Sequence, residues 1–127
     1  MKLNAGDIVL DIGCNDGTLL ASYKTQGLRH IGIDPSDVAL KARERGFEVV
    51  NDFFSADAFR RVHPQEKARV VTSISMFYDL ESPRAFVQDI ASVLADDGIW
   101  ILEQSYLPSM LAINSFDTIC HEHLEYY

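Results

Sequence analysis

Cysteine is scarce in this sequence: Cys14 and Cys120 are the only two, far apart and without a metal-type spacing. Such usage builds neither a disulfide framework nor a zinc module, and it fits a reducing cytoplasm. Positive charge is also short. The 11 Lys and Arg face 19 Asp and Glu, leaving a formal net charge of -8. Nucleic-acid binders carry a basic face, so a phosphate-backbone partner is not expected. No apolar run approaches the ~20 residues that span a bilayer, so no membrane association is expected. The opening MKLNAGDIVLDIG lacks the charged, apolar and small-residue regions of a secretory signal. Repeats, low-complexity tracts and linkers are missing too. What remains is 47% hydrophobic and 24% charged over 127 residues, enough for one domain with a real core.

Short apolar runs alternate with amphipathic stretches. Strands are expected at 7–13 (DIVLDIG), 29–36, 47–51, 68–75 and 99–104. Helices are expected between them, at 17–27, 36–46, 55–62 and 82–98. Gly27 and Gly46 mark two helix ends, and Ser36 and Ser82 two N-caps. Pro83 suits the first helical position, and Phe86, Ile90, Val93 and Leu94 form one apolar face. Strands alternating with crossover helices imply an α/β fold with a doubly wound, mostly parallel sheet. Past Gln104 the pattern weakens, with room for a short helix in SYLPSMLAINSFDTI. Sheets of this class usually have further strands. The fold is therefore expected to be incomplete at its C-terminus, with residues 1–104 as the cofactor domain and 105–127 as the start of a substrate region. An exposed edge there would invite a homodimer.

Open α/β sheets bind ligands at the carboxyl ends of the strands, where strand order reverses. The loop after the first strand reads DIGCNDGTLL. Gly13 allows a tight turn, and Gly17 allows a ligand to approach the next helix N-terminus. The G-x-x-x-G spacing lacks the third glycine of dinucleotide loops, and Asp16 stands where a phosphate would sit. That disfavours an NAD-dependent oxidoreductase and favours a phosphate-free, cationic ligand. Asp34, ending the second strand, suits two ribose hydroxyls. Asp52 and Phe53, after the third, suit an adenine's amine and face. Turn residues alone could explain single Asp-Gly or Asp-Pro pairs, but the whole set is more specific.

VLDIGCNDGTLL, IGIDPS, VVNDFFS and the helix leading into DDGIWILEQ resemble the Rossmann-like, class I S-adenosylmethionine-dependent methyltransferases. The resemblance implies that loop 11–17 holds the amino-acid end of S-adenosylmethionine, Asp34 the ribose, and Asp52 and Phe53 the adenine. S-adenosylhomocysteine would be the product. The expected cofactor set is Asp11, Gly13, Asn15, Gly17, Asp34, Asp52, Phe53 and Ser75. The tail LEQSYLPSMLAINSFDTICHEHLEYY looks like the sugar C-methyltransferases of nucleotide-linked keto-deoxysugars. Their members carry a Glu ending the fifth strand and then a run close to DTIYHEHLSYY. Glu103, Asp117, Thr118, His121, Glu122, His123, Leu124, Tyr126 and Tyr127 match it. Cys120 replaces the family's tyrosine, and Tyr78 and Asp79 stand near a place where the family tends to have histidine. The resemblance further implies an N-terminal zinc domain and a closing C-terminal domain in a longer parent enzyme.

C-methylation needs a carbon nucleophile, made when a base removes a proton beside a ketone. Histidine suits that role because it titrates near neutrality. By family position His123 is the base, Glu122 binds or polarises the substrate, and His121 supports. A metal site is disfavoured: H-x-H supplies two ligands, H-E-x-x-H is absent, and His30 and His63 have no ligand spacing. Alternatives are an O- or N-methyltransferase, or a domain that binds cofactor without turnover. Trp100 is expected in the core, Met76–Tyr78 along the methionine arm, and Cys14 packed rather than reactive. Arg43, Arg45, Arg60 and Arg61 are expected on a solvated face.

Overall fold

The computed structural model describes residues 1–117 and 119–127; Thr118, which carries part of the resemblance above, lies outside them. The strands are β1 (Ile8–Ile12), β2 (Arg29–Ile33), β3 (Glu48–Val50), β4 (Ala68–Ile74) and β5 (Leu94–Glu103). The helices are α1 (Ala39–Glu44), α2 (Ala56–Val62), α3 (Pro83–Val93) and α4 (Leu107–Ala112). One sheet runs in the order β3-β2-β1-β4-β5, and every neighbouring pair is parallel. The doubly wound α/β expectation therefore holds. The chain steps outward from β1 to β3, then returns to β1's other side. This reversal opens a crevice at the carboxyl ends of β1 and β4.

Burial explains the central strand. IVLDI is buried at every position, as a parallel strand covered on both faces must be. Alternate side chains feed two cores. Leu10, Ile12, Ile31 and Val71 meet Phe59 of α2 and Phe86 and Ile90 of α3. Val9, Val49 and Val70 meet Leu20, Ala39, Ala42 and Cys14 on the other face. Trp100 is half-buried, against Phe77 and Phe86, and its indole N–H donates to Ser73 Oγ at 2.9 Å.

Three expected helices differ. The stretch 17–27 forms only a single 3₁₀ turn, Leu20–Ser22. Gly17 is left-handed (φ +77°), Tyr23 is already extended, and only Leu20 of the turn is buried. So short a segment has too little burial to offset helix nucleation. α1 starts at Ala39, because Ser36 turns its hydroxyl back to Asp34 Oδ1 (2.5 Å) instead of capping. α3 ends at Val93, and Leu94 is the first residue of β5 although it packs on the same core. Leu94 pairs with Ala68 and Ile99 with Val70, so residues between them bulge from the ladder. Ser82 precedes Pro83 but makes no capping bond.

Candidate functional site

The glycine loop is built from the end of β1. Gly13 is left-handed (φ +74°), and a Cβ there would meet nothing within 4 Å. Its outer face is open to a ligand. Gly17 differs: a Cβ there would lie 2.8 Å from the Phe47 ring and 2.9 Å from Ala42. Gly17 is therefore needed for packing against Ala42 and Phe47, and no α-helix N-terminus follows it within the expected 17–27. Cys14 fills the space over Gly32, where a Cβ would be 2.9 Å from the Cys14 Cβ. Burial, with the Asp34 and Asp11 charges, pushes its thiol up to about 12, so it packs and is not a thiolate nucleophile.

Asp34 clamps this loop. It is buried; its Oδ2 accepts the Asn15 N–H at 2.9 Å, and Oδ1 accepts the Ser36 N–H at 2.8 Å. Asn51, which sequence reasoning missed, holds the same turn by donating to the Asp34 and Ser36 carbonyls at 2.9 and 3.0 Å. Asn15 is itself left-handed (φ +47°) and presents its side chain to the Gly13 carbonyl. Asp11 is buried beneath the loop and accepts a 2.5 Å bond from the Thr72 hydroxyl. Burial pushes its carboxyl up to about 6, partly countered by Thr72 and reinforced by Asp34.

Two cavities meet at Gly13. The larger, about 550 Å³, is lined by Asp11, Gly13, Asn15, Asp16, Ser75 and Glu103 among others. The smaller, about 180 Å³, is apolar and lies between Gly13, Pro35, Phe53, Phe54, Met76 and Phe86. The structure thus brings Asp11, Gly13, Asn15 and Ser75 together, with Phe53 around the corner and 76% exposed. Asp52 lies outside both linings. Its oxygens take the Phe53 N–H at 2.8 Å and the Arg61 guanidinium at 2.5 Å. Phe54 carries no sequence signal beyond adjacency, yet it packs edge-on to Phe86 at 5.2 Å and walls the smaller cavity.

All four arginines are exposed, as expected of a solvated face, and Arg43, Arg45 and Arg60 also brace the backbone. Arg45 donates to the Asp16 carbonyl at 2.7 Å, Arg43 to the Val49 carbonyl at 2.9 Å, and Arg60 to the Ser92 carbonyl at 3.1 Å. Arg45 thereby braces the glycine loop from α1's end. At the opposite end of the sheet, buried His63 faces Glu66 at 2.6 Å and Glu48 at 2.9 Å. Among the described residues no group of three or more His, Cys, Asp or Glu is placed to hold a metal ion, and no helix is long and apolar enough to cross a membrane.

The tail folds back onto the residues after β4. The Leu124 and Glu125 N–H groups both donate to the Tyr78 carbonyl, at 2.9 and 3.1 Å. His123 is half-buried with its ring 4.1 Å from that of Tyr78, and Tyr127 lies 5.3 Å from Phe77. The Tyr126 hydroxyl bridges the Cys120 backbone, accepting its N–H at 3.1 Å and donating to its carbonyl at 3.2 Å. His121 and Glu122 are exposed. None of these three residues lines either cavity; His123 is held through Tyr78, in the segment that follows β4.

A parallel 3-2-1-4-5 sheet with an acidic glycine loop at its switch point defines the Rossmann-like fold of class I methyltransferases. The family described as "Methyltransferase domain" matches residues 1–127, and the chain belongs to it. It is 32% identical over 127 residues to the C-methyltransferase NovU of Streptomyces niveus, covering 98% of this chain and 30% of that one. It is 33% identical over 102 residues to a ubiquinone biosynthesis O-methyltransferase of Thiobacillus denitrificans, covering 76% of this chain and 43% of the relative. The chain thus spans less than half the length of these curated relatives. Its fold matches the plantazolicin methyltransferase BpumL in complex with SAH, with TM-score 0.70, 19% identity and coverage of 93% and 46%. It also matches the complex of the Haloferax volcanii Trm112 activator with a methyltransferase, with TM-score 0.63, 25% identity and coverage of 84% and 49%.

Proposed function

We propose that the chain is the cofactor-binding part of an S-adenosylmethionine-dependent methyltransferase that methylates carbon in a nucleotide-linked keto-deoxysugar. The observation that carries this reading is the seat of His123 on Tyr78, in the segment that leaves the carboxyl end of β4, the strand next to β1. The match of the tail to the sugar C-methyltransferase run supports it, as does the similarity to a protein named as a C-methyltransferase. Adenine would enter the apolar cavity against Phe53, Phe54 and Met76. The ribose would cross Gly13 toward Asp34. Only one oxygen of Asp34 keeps a lone pair free, so the Ser36 hydroxyl must swing away for a second ribose bond. The methionine arm would fill the larger cavity, with the methyl group toward the tail.

The sulfonium is already a strong electrophile, so the residues supply alignment and a base. His123 would take the proton beside the substrate ketone, and the resulting enolate carbon would accept the methyl group. Glu122 and His121 are exposed and so placed to meet a substrate arriving from solvent. O-methylation is the second reading, favoured by the ubiquinone O-methyltransferase relative. The test is solvent deuterium exchange at the sugar α-carbon in the full-length enzyme with S-adenosylhomocysteine bound. Exchange that disappears in His123→Ala, with cofactor affinity unchanged, supports C-methylation through this base. Exchange that persists in the variant places the base elsewhere, and methyl transfer without any exchange favours the oxygen acceptor.

A further inference from the structure

We propose that Glu103 reads the charge of the cofactor: held by Ser75 on the wall of the larger cavity, it favours the cationic methyl donor over the product. This rests on the cofactor reading above and goes beyond it. The carboxylates around that cavity differ in how they are compensated. Asp16 accepts the Thr18 N–H at 3.0 Å and lies 3.7 Å from Arg45. Asp34 spends its oxygens on Asn15 and Ser36. Asp11 is buried and bonded to Thr72.

Glu103 faces the cavity as an exposed carboxylate, and among the described residues no Lys, Arg or His pairs with it, whereas Asp16 has Arg45. Among the described residues its side-chain partner is neutral, the Ser75 hydroxyl, which donates to Oε2. Ser75 adopts a left-handed backbone (φ +52°), which non-glycine residues rarely do. The same turn directs its N–H to the Glu103 carbonyl at 3.1 Å. Backbone held this way at a cavity rim, rather than relaxed, is a mark of a functional site.

The chemistry gives this anion something to read. When the methyl group leaves the sulfonium, the electron pair of the broken C–S bond stays on sulfur and the positive charge there is lost. The α-ammonium is present before and after, so only the sulfonium distinguishes donor from product. An uncompensated carboxylate at this end of the cavity binds the donor more tightly and weakens its hold as the product forms.

Calorimetric titrations of the full chain test this with S-adenosylmethionine, S-adenosylhomocysteine and sinefungin, whose ammonium stands in place of the sulfonium. Glu103→Gln is expected to weaken S-adenosylmethionine and sinefungin by about tenfold and to leave S-adenosylhomocysteine within about twofold. Retained product binding also reports that the variant is folded. Ser75→Ala should show the same ligand order with a smaller change. Equal weakening of all three ligands, or no change in any, overturns the role of Glu103. A wild-type chain that binds none of them overturns the cofactor reading itself, and this role with it.

Discussion

Replacing Asp11 by Asn tests how the buried end of β1 is used. The carboxyl is 3% exposed, and its folded pKa is about 6 against an ordinary value of 3.8. The fold thus holds this proton more tightly than the unfolded chain does. Below pH 3.8 both states are protonated and the residue is neutral to stability. As pH rises to about 6, the unfolded chain ionises first and the fold loses stability. The loss reaches at most about 3 kcal/mol and is constant at higher pH. Asn keeps an oxygen for the Thr72 hydroxyl and carries no charge. Urea unfolding of both proteins between about pH 4 and pH 7 should show the variant gaining on the wild type across that window, then running parallel. Ligand binding adds a second reading. A cation bound beside Asp11 should expel its proton, so near pH 6 about half a proton leaves per ligand. That release appears as a dependence of the binding heat on the buffer's ionisation enthalpy. A stability difference that ignores pH, or that shrinks as pH rises, refutes the burial of a titrating acid at this position.

Gly17→Ala should cost about 3 kcal/mol, because its Cβ strikes Phe47 and Ala42 in a left-handed backbone; denaturant melts measure it. Gly13→Ala should cost only about 1 kcal/mol, since its Cβ meets open space, yet abolish cofactor binding by titration. Phe53→Ala, at a side chain 76% exposed, should leave stability within about 0.5 kcal/mol and weaken S-adenosylhomocysteine about tenfold. Tyr78→Leu removes the ring under His123, so the upfield ring-current shift of the His123 imidazole protons should vanish by NMR and persist in Tyr78→Phe.

The central strands were legible because β1 and β2 are short apolar runs closed by Gly13 and by Asp34-Pro35, and burial on both faces demands that composition; β5, largely exposed and starting at Leu94 within the expected helix 82–98, was not. The helices were less legible. The apolar residues spread over 17–27 read as a helix, but only tertiary packing shows that Gly17 and Tyr23 close the segment to one turn. Ser36 looked like a cap because sequence shows which residue types can cap, not which acceptor wins; Asp34 wins here. In the site, Asp11, Gly13, Asn15 and Ser75 come together as their places at strand ends imply. The packing role of Gly17 was hidden, since a glycine needed for packing and one needed for a ligand look alike in sequence. Asp52 was expected at the adenine, but Arg61, one helix away, takes its oxygen. Asn51 and Phe54 carried no pattern of their own; their roles come from what β2 and α3 place opposite them.

The central claim is that this cavity pair holds a phosphate-free, sulfur-bearing nucleoside. Side-by-side calorimetric titration of the full chain with S-adenosylhomocysteine and NAD tests it most directly. Micromolar binding of S-adenosylhomocysteine with no heat from NAD is the predicted result. Binding of NAD in its place would contradict the account.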